Sequence, residues 1–202
     1  MSGIPILIEG RALRALVVGG GPVALRKAGA LAAAGAQVRV VALTPSDEMR
    51  ALAMSGDVSL LERAYERGDV ADALLVVAAT NDRAVNEAIA AEARASNRLV
   101  NVADAPESGT FATMAAHRAG ALVIGVSAGG VPGAAARIRD TIAERFDGRY
   151  ARALGQLAEL RRTLIDRRQG AAWRALSTEV IGSRFCEAVE QDRVEGQVSP
   201  WR

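Results

Sequence analysis

The sequence predicts an α/β protein with a parallel sheet in its first half and a helical end. Three observations carry that expectation. Short apolar runs recur between helical stretches up to Val102, three glycines join the first run to the first helix, and from Gly148 onward the chain reads as helix. Strands that alternate with helices form βαβ units, whose crossovers bring the strands together in parallel.

The elements follow in order. Residues 15–18 read as a buried strand that runs into Gly19, Gly20 and Gly21. Residues 23–34 read as a helix with Leu25, Ala28, Leu31 and Ala32 on one side, ended by Gly35. Gln37–Val41 is the second strand, and Pro45–Ser46 opens a helix that turns Met49, Leu52 and Ala53 inward. Residues 59–62 form a shorter strand, and the unbroken apolar run 74–78 suits a central one. Asn81 or Asp82 caps a helix reaching about Ala95, and Leu99–Val102 closes the series.

The rhythm then changes. Two strands, 111–115 and 121–127, flank 117–120, which reads as a hairpin turn holding His117 in solvent. Gly129 and Gly130 follow, and Pro132 suits the first position of a helix to about Phe146. Residues 149–167 and 172–189 form helices separated at Gln169-Gly170, and the polar stretch 192–202 reads as a loose tail.

Composition narrows the class. Half the residues are hydrophobic but only 3% are aromatic, so Ala, Val and Leu must fill the core. A net charge of +2 gives no reason to expect nucleic acid, although the cations are nearly all Arg, with Lys27 the one lysine. Arg suits carboxylates, and biased codon usage explains the same excess. A single cysteine, Cys186, excludes an internal disulfide and a Cys-based metal site, and it reads as a small buried hydrophobe. The start lacks the features of a signal peptide, and no apolar run approaches the ~20 residues that span a bilayer. A soluble cytoplasmic protein is expected, with no membrane association and no metal site.

Strand, G-G-G-P-V-A and helix form the arrangement of a Rossmann-like dinucleotide site. Gly19 allows the tight turn, Gly21 lets the backbone approach a pyrophosphate, and Ala24 takes the third small position. The N–H groups opening the helix then face the phosphates. A merely tight turn in a non-binding α/β domain is the plain alternative. The acidic residue usual after the second strand is missing, since the chain reads V-R-V-V-A-L-T-P there. Ribose recognition falls to backbone groups and the Thr44 hydroxyl. Arg39 lies mid-strand, away from a 2′-phosphate, so NAD is the expected cofactor.

Several segments in order resemble one family. They are P-I-L-I-E-G-R, V-V-G-G-G-P-V-A-L-R-K, A-A-T-N-D-R-A-V-N, N-V-A-D-A-P and V-S-A-G-G. Together they are similar to the precorrin-2 dehydrogenase module of siroheme synthases, from about Pro5 to Arg145 and more loosely beyond. The resemblance implies a Rossmann-like NAD domain (1–112), a small dimerisation region (113–147) and a C-terminal helical domain (148–202). It implies NAD-dependent oxidation of the tetrapyrrole precorrin-2 to sirohydrochlorin by a homodimer. It places NAD contacts at Gly19, Gly20, Gly21, Pro22, Val23, Leu43 and Thr44, and catalysis at Asp104. Ala128, Val131 and Met114 depart from the family pattern around the expected tetrapyrrole cleft. An added ferrochelatase activity and a non-catalytic nucleotide- or tetrapyrrole-binding module are the competing readings.

Position alone also singles out Asp104, just past the end of a parallel strand, where α/β ligands bind. A carboxylate there could take the proton that dehydrogenation releases, or simply form a turn before Pro106. Ser127, Gly129, Gly130 and Arg137 are candidates to receive substrate carboxylates. Capping explains Ser127 equally well, and a solvated helix face accounts for Arg137, Arg139 and Arg145.

Overall fold

The computed structural model describes residues 3–201. It forms two compact units, one ending at Thr113 and the other beginning at Met114. The first is a five-stranded parallel sheet in the order β3-β2-β1-β4-β5, from Ser59–Leu61, Gln37–Val41, Arg14–Val18, Leu75–Ala78 and Leu99–Val102. The strand order reverses at β1, and the crevice at such a switch is where open α/β sheets bind ligands.

Period-two alternation divides the core between the two faces of this sheet. On one face Ala15, Val17, Val38, Val40, Leu75 and Val77 meet Ala24 and Ala28 of α1 (Pro22–Ala33) and Met49 of α2 (Asp47–Met54). On the other, Leu16, Val18, Val76, Val100 and Val102 meet Ile89, Ala90 and Ala93 of α3 (Arg83–Ala95). Alanines on α1 and α3 let helix and sheet approach closely, which suits a chain with few aromatics. Gly35, at φ +86°, ends α1 in the left-handed region that glycine tolerates best. Ser46 caps α2 by accepting from the Met49 N–H, and Asp82 caps α3 by accepting from Ala84 and Val85.

A partly buried ion pair closes the loop before β4. Arg63 donates to both oxygens of Asp69, at 2.9 and 2.7 Å, and this fork holds the carboxyl below its usual range. A depressed folded-state pKa stabilises fully above the unfolded value and is lost as pH falls through the folded one. Arg63→Ala should therefore lower stability modestly near neutrality, because solvent screens part of the pair. In urea titrations the gap from wild type should shrink below about pH 4. A gap unchanged at pH 2.5 would contradict the assignment.

The second unit opens with the antiparallel hairpin β6 (Ala115–Ala119) and β7 (Leu122–Val126), followed by α4 (Pro132–Arg145). Two expectations are corrected here. The first hairpin strand begins at Ala115 rather than Phe111, because Phe111 packs on the first sheet face while the turn falls at Gly120, φ +59°. His117 therefore lies within β6, half-buried, and its Nε2 is 2.6 Å from the Phe146 carbonyl. Gly125 lies under the Met114 side chain, where a Cβ would come within 2.7 Å of its terminal methyl.

The helices α5 (Gly148–Asp166), α6 (Gly170–Val180), α7 (Phe185–Glu190) and α8 (Val194–Val198) complete this unit. The stretch 172–189 is two helices, broken at Ile181–Arg184. As far as Trp201 the final stretch is helical rather than a loose tail, because Val194 and Val198 bury one turn apart beside Leu157, Leu160 and Leu176, and Arg202 lies outside the described residues. Trp173 and Phe185 pack on this cluster. Cys186 is exposed, since Phe185, Ala188 and Val189 take the inward phase of α7 and leave residue 186 outside. Among the described residues no helix is long and apolar enough to cross a membrane.

Candidate active site

The turn after β1 is shaped by what surrounds each glycine. Gly19 has φ +131°, and a Cβ there would lie 2.2 Å from the Ala79 carbonyl oxygen. A Cβ on Gly20 would strike the Thr44 carbonyl at 2.5 Å. The first two glycines are thus required by packing against the ends of β4 and β2. Gly21 differs. Nothing lies within 4 Å of its Cβ position, and its φ of −88° is ordinary. Packing leaves Gly21 free, so its smallness serves the open space in front of the helix.

That space faces the start of α1, which has no side-chain cap and carries Pro22 in its first turn. Its leading N–H groups have no intrahelical acceptor and form a positive helix end. A pyrophosphate fits this cradle of bare backbone. Beyond β2, Leu43 is 71% exposed and Thr44 is also exposed, as an adenosine-contacting surface requires. Arg39 is turned away and donates to the Asp69 carbonyl at 2.6 Å. Arg50 is held by Asp47 and Glu62. Neither cation is free for a 2′-phosphate.

Asp104 is exposed two residues past β5, on the same carboxyl edge of the sheet as the glycine turn. Its Oδ1 accepts from Asn86 Nδ2 at 3.0 Å. Asn86 lies on α3 and is only 1% exposed, one of two buried polar side chains among the described residues. Its amide also holds Thr80, just past β4: Oδ1 accepts from the Thr80 N–H at 3.1 Å and hydroxyl at 2.7 Å, and Nδ2 donates to the Thr80 carbonyl at 3.1 Å. Nearby, Arg83 is held more firmly protonated by its bond to Glu87 and by the field of that carboxylate, with smaller contributions from Asp104 and Glu107.

Sequence reasoning singles out the glycines and Asp104 and passes over Thr80 and Asn86, which the structure joins to Asp104. The only available signal was that both lie in the A-A-T-N-D-R-A-V-N segment. A mid-helix Asn otherwise reads as a solvated residue.

The remaining candidates lie in the second unit. Gly129 (φ +58°) and Gly130 (φ +89°) form a left-handed turn, closed by the Val131 N–H donating to the Ala128 carbonyl. Ser127 is exposed just before it. On α4, Arg139 pairs with Asp140 and Arg145 with Glu190, while Arg137 is exposed without an ion pair among the described residues. No group of three or more His, Cys, Asp or Glu side chains converges among those residues.

A concavity of about 350 Å³ lined by Arg11, Arg14, Gln37, Leu74 and Arg98 lies elsewhere, at the amino edge of the sheet. Backbone chemistry, rather than depth, makes the carboxyl edge the candidate nucleotide site.

A Rossmann-type sheet with a bare glycine turn at its switch point defines a dinucleotide-binding protein. The chain belongs to the family described as "Putative NAD(P)-binding", which matches residues 6–115. Among curated proteins it is 40% identical over 160 residues to the siroheme synthase of Pseudomonas entomophila (strain L48), covering 79% of this chain and 34% of that one. It is 34% identical over 197 residues to the siroheme synthase of Methylobacillus flagellatus, covering 95% of this chain and 42% of that one. The chain thus spans between a third and a half of those relatives. Among solved structures it is similar to SirC, precorrin-2 dehydrogenase, with a TM-score of 0.77, 27% identity, and coverage of 98% of this chain and 100% of that one.

Proposed function

We propose that the protein is an NAD-dependent dehydrogenase that oxidises precorrin-2 to sirohydrochlorin, as a dimer in the cytoplasm. One observation carries this reading. A single sheet edge presents both a backbone cradle for a dinucleotide and an exposed carboxylate whose position a buried amide fixes. The likeness to a precorrin-2 dehydrogenase along the whole chain supports the substrate.

Gly19–Val23 hold the pyrophosphate, and Leu43 and Thr44 flank the adenosine. Arg39 and Arg50 are both engaged elsewhere and leave a 2′-phosphate without their charge, so NAD fits better than its 2′-phosphorylated form even though no carboxylate stands at the tip of β2. Bound NAD supplies the hydride acceptor. Precorrin-2 and NAD+ give sirohydrochlorin, NADH and one proton. Asp104 accepts that proton from the ring carbon or nitrogen that loses it. Ser127, the Gly129-Gly130 turn and Arg137 receive carboxylate arms of the tetrapyrrole.

Mixing the purified protein with precorrin-2 and NAD should produce NADH and sirohydrochlorin in equal amounts, followed by absorbance. Parallel samples with ferrous or cobalt ions report metal insertion separately. No NADH under anaerobic conditions would refute the dehydrogenase reading.

The dimerisation region is assigned to residues 113–147, between the nucleotide domain (1–112) and the helical domain (148–202). A two-stranded hairpin leaves both outer edges without partners. Met114, Val131 and Ile138 are exposed around it. Light scattering at micromolar concentration should give twice the 21.1 kDa chain mass. A monomer would overturn the assignment.

A further inference from the structure

We infer that Asn86 is a positioning residue: it fixes Asp104 through Oδ1 and leaves Oδ2 as the oxygen that takes the substrate proton. The inference rests on Asp104 being the proton acceptor proposed above.

The argument begins with a complete hydrogen-bond inventory. A side-chain amide offers two protons and two lone pairs. In Asn86 all four are used, three on Thr80 and one on Asp104. Turning the amide over would set its NH2 against the Thr80 N–H and its oxygen against the Thr80 carbonyl. The donor N–H of Thr80 and the acceptor carbonyl therefore dictate which end of the amide meets Asp104. That end donates, so Asp104 Oδ1 must accept. A proton arriving at the carboxylate goes to Oδ2, since protonating Oδ1 would compete with the Asn86 bond.

Local geometry makes the clamp stiff. Asn86 is 1% exposed and sits one turn into α3, whose start Asp82 caps. Thr80 follows Ala79, whose carbonyl lies against Gly19. The Thr80 hydroxyl directs its one proton to the nearer of two acceptors, Asn86 Oδ1 at 2.7 Å rather than the Asp82 carbonyl at 3.0 Å, and accepts from the Asp82 N–H at 3.2 Å. Three strand ends are thereby tied together, from the nucleotide turn to the carboxylate. A buried amide that leaves no polar atom unpaired is costly to assemble and costly to break. Its one bond to an exposed partner is the one to Asp104. A purely structural Asn86 would need only its three bonds to Thr80.

A double-mutant cycle on the full-length protein tests this, reading kcat and both KM values with precorrin-2 and NAD. Asn86→Ala should lower kcat about tenfold while the NAD KM stays near wild type. In an Asp104→Ala background the same change should cost almost nothing, because no carboxylate remains to be placed. An equal loss in both backgrounds, or no loss in the wild-type one, overturns the inference. Should Asn86→Ala fail to fold, Asn86→Ser keeps a small polar group that cannot reach Asp104, and the same cycle applies. If instead Asp104→Ala itself runs at the wild-type rate, the proton-acceptor reading falls, and that result is distinct from a failed cycle.

Discussion

Replacing Gly21 with leucine is expected to remove NAD binding from a protein that remains folded. The two halves of that result have separate causes. Nothing occupies the space within 4 Å of the Cβ position, and the backbone there is at φ −88°, which any residue adopts. Circular dichroism and the thermal midpoint should therefore stay close to wild type. The same side chain would project into the volume in front of α1, where the pyrophosphate must sit to reach the bare N–H groups. Losing two hydrogen bonds to a charged group, at about 1.5–3 kcal/mol each, weakens binding by roughly 10²-fold or more. Gly19→Leu is the informative contrast. Its side chain would collide with the Ala79 carbonyl, so it should lose binding and stability together. Calorimetric titration that finds wild-type NAD affinity in Gly21→Leu would remove the cofactor from this turn.

The second large effect belongs to Asp104. Asp104→Ala should reduce kcat for precorrin-2 oxidation by about 10²-fold, the usual scale for a lost general base. NAD affinity should hardly move, because the glycine turn follows β1 while Asp104 follows β5, with β4 between them. Stability should fall by about 1 kcal/mol, since Asn86 Nδ2 loses one of its two acceptors while the exposed position of Asp104 lets water take its place. The loss is partial because a hydride acceptor held against an oxidation-prone ring already supplies much of the rate. A variant that turns over at the wild-type rate would reduce Asp104 to a turn residue ahead of Pro106.

The sheet was legible because its signals are local. Gln37–Val41 and Leu99–Val102 stand where the apolar runs place them, and the other three strands differ by a residue at one end. Gly19 and Gly35 announce the turns they make, since both adopt positive φ. The hairpin was misplaced because A-A-H-R-A has weak strand propensity, and only pairing with β7 makes it a strand. Phe111 looks like the better strand residue, yet its ring is spent on a face of the first sheet. The final stretch was misread because just two valines, Val194 and Val198, carry its helical spacing through a polar sequence. Cys186 depended on helix phase rather than residue type. At the site, the glycine turn and Asp104 could be read from pattern. Asn86 could not, because its partners lie 6 and 18 residues away and meet it only across strand ends.

The hydrogen bond from the Thr80 backbone to Asn86 has a use outside catalysis. That N–H can trade its proton for deuterium only when the Asn86 side chain swings aside, and the same swing frees Asp104. Thr80 is therefore a built-in clock for the carboxylate's placement, readable in the resting protein without substrate. Its exchange should be slow in the wild type and much faster in Asn86→Ala. In Asp104→Ala it should stay slow, because three of the amide's four bonds survive there.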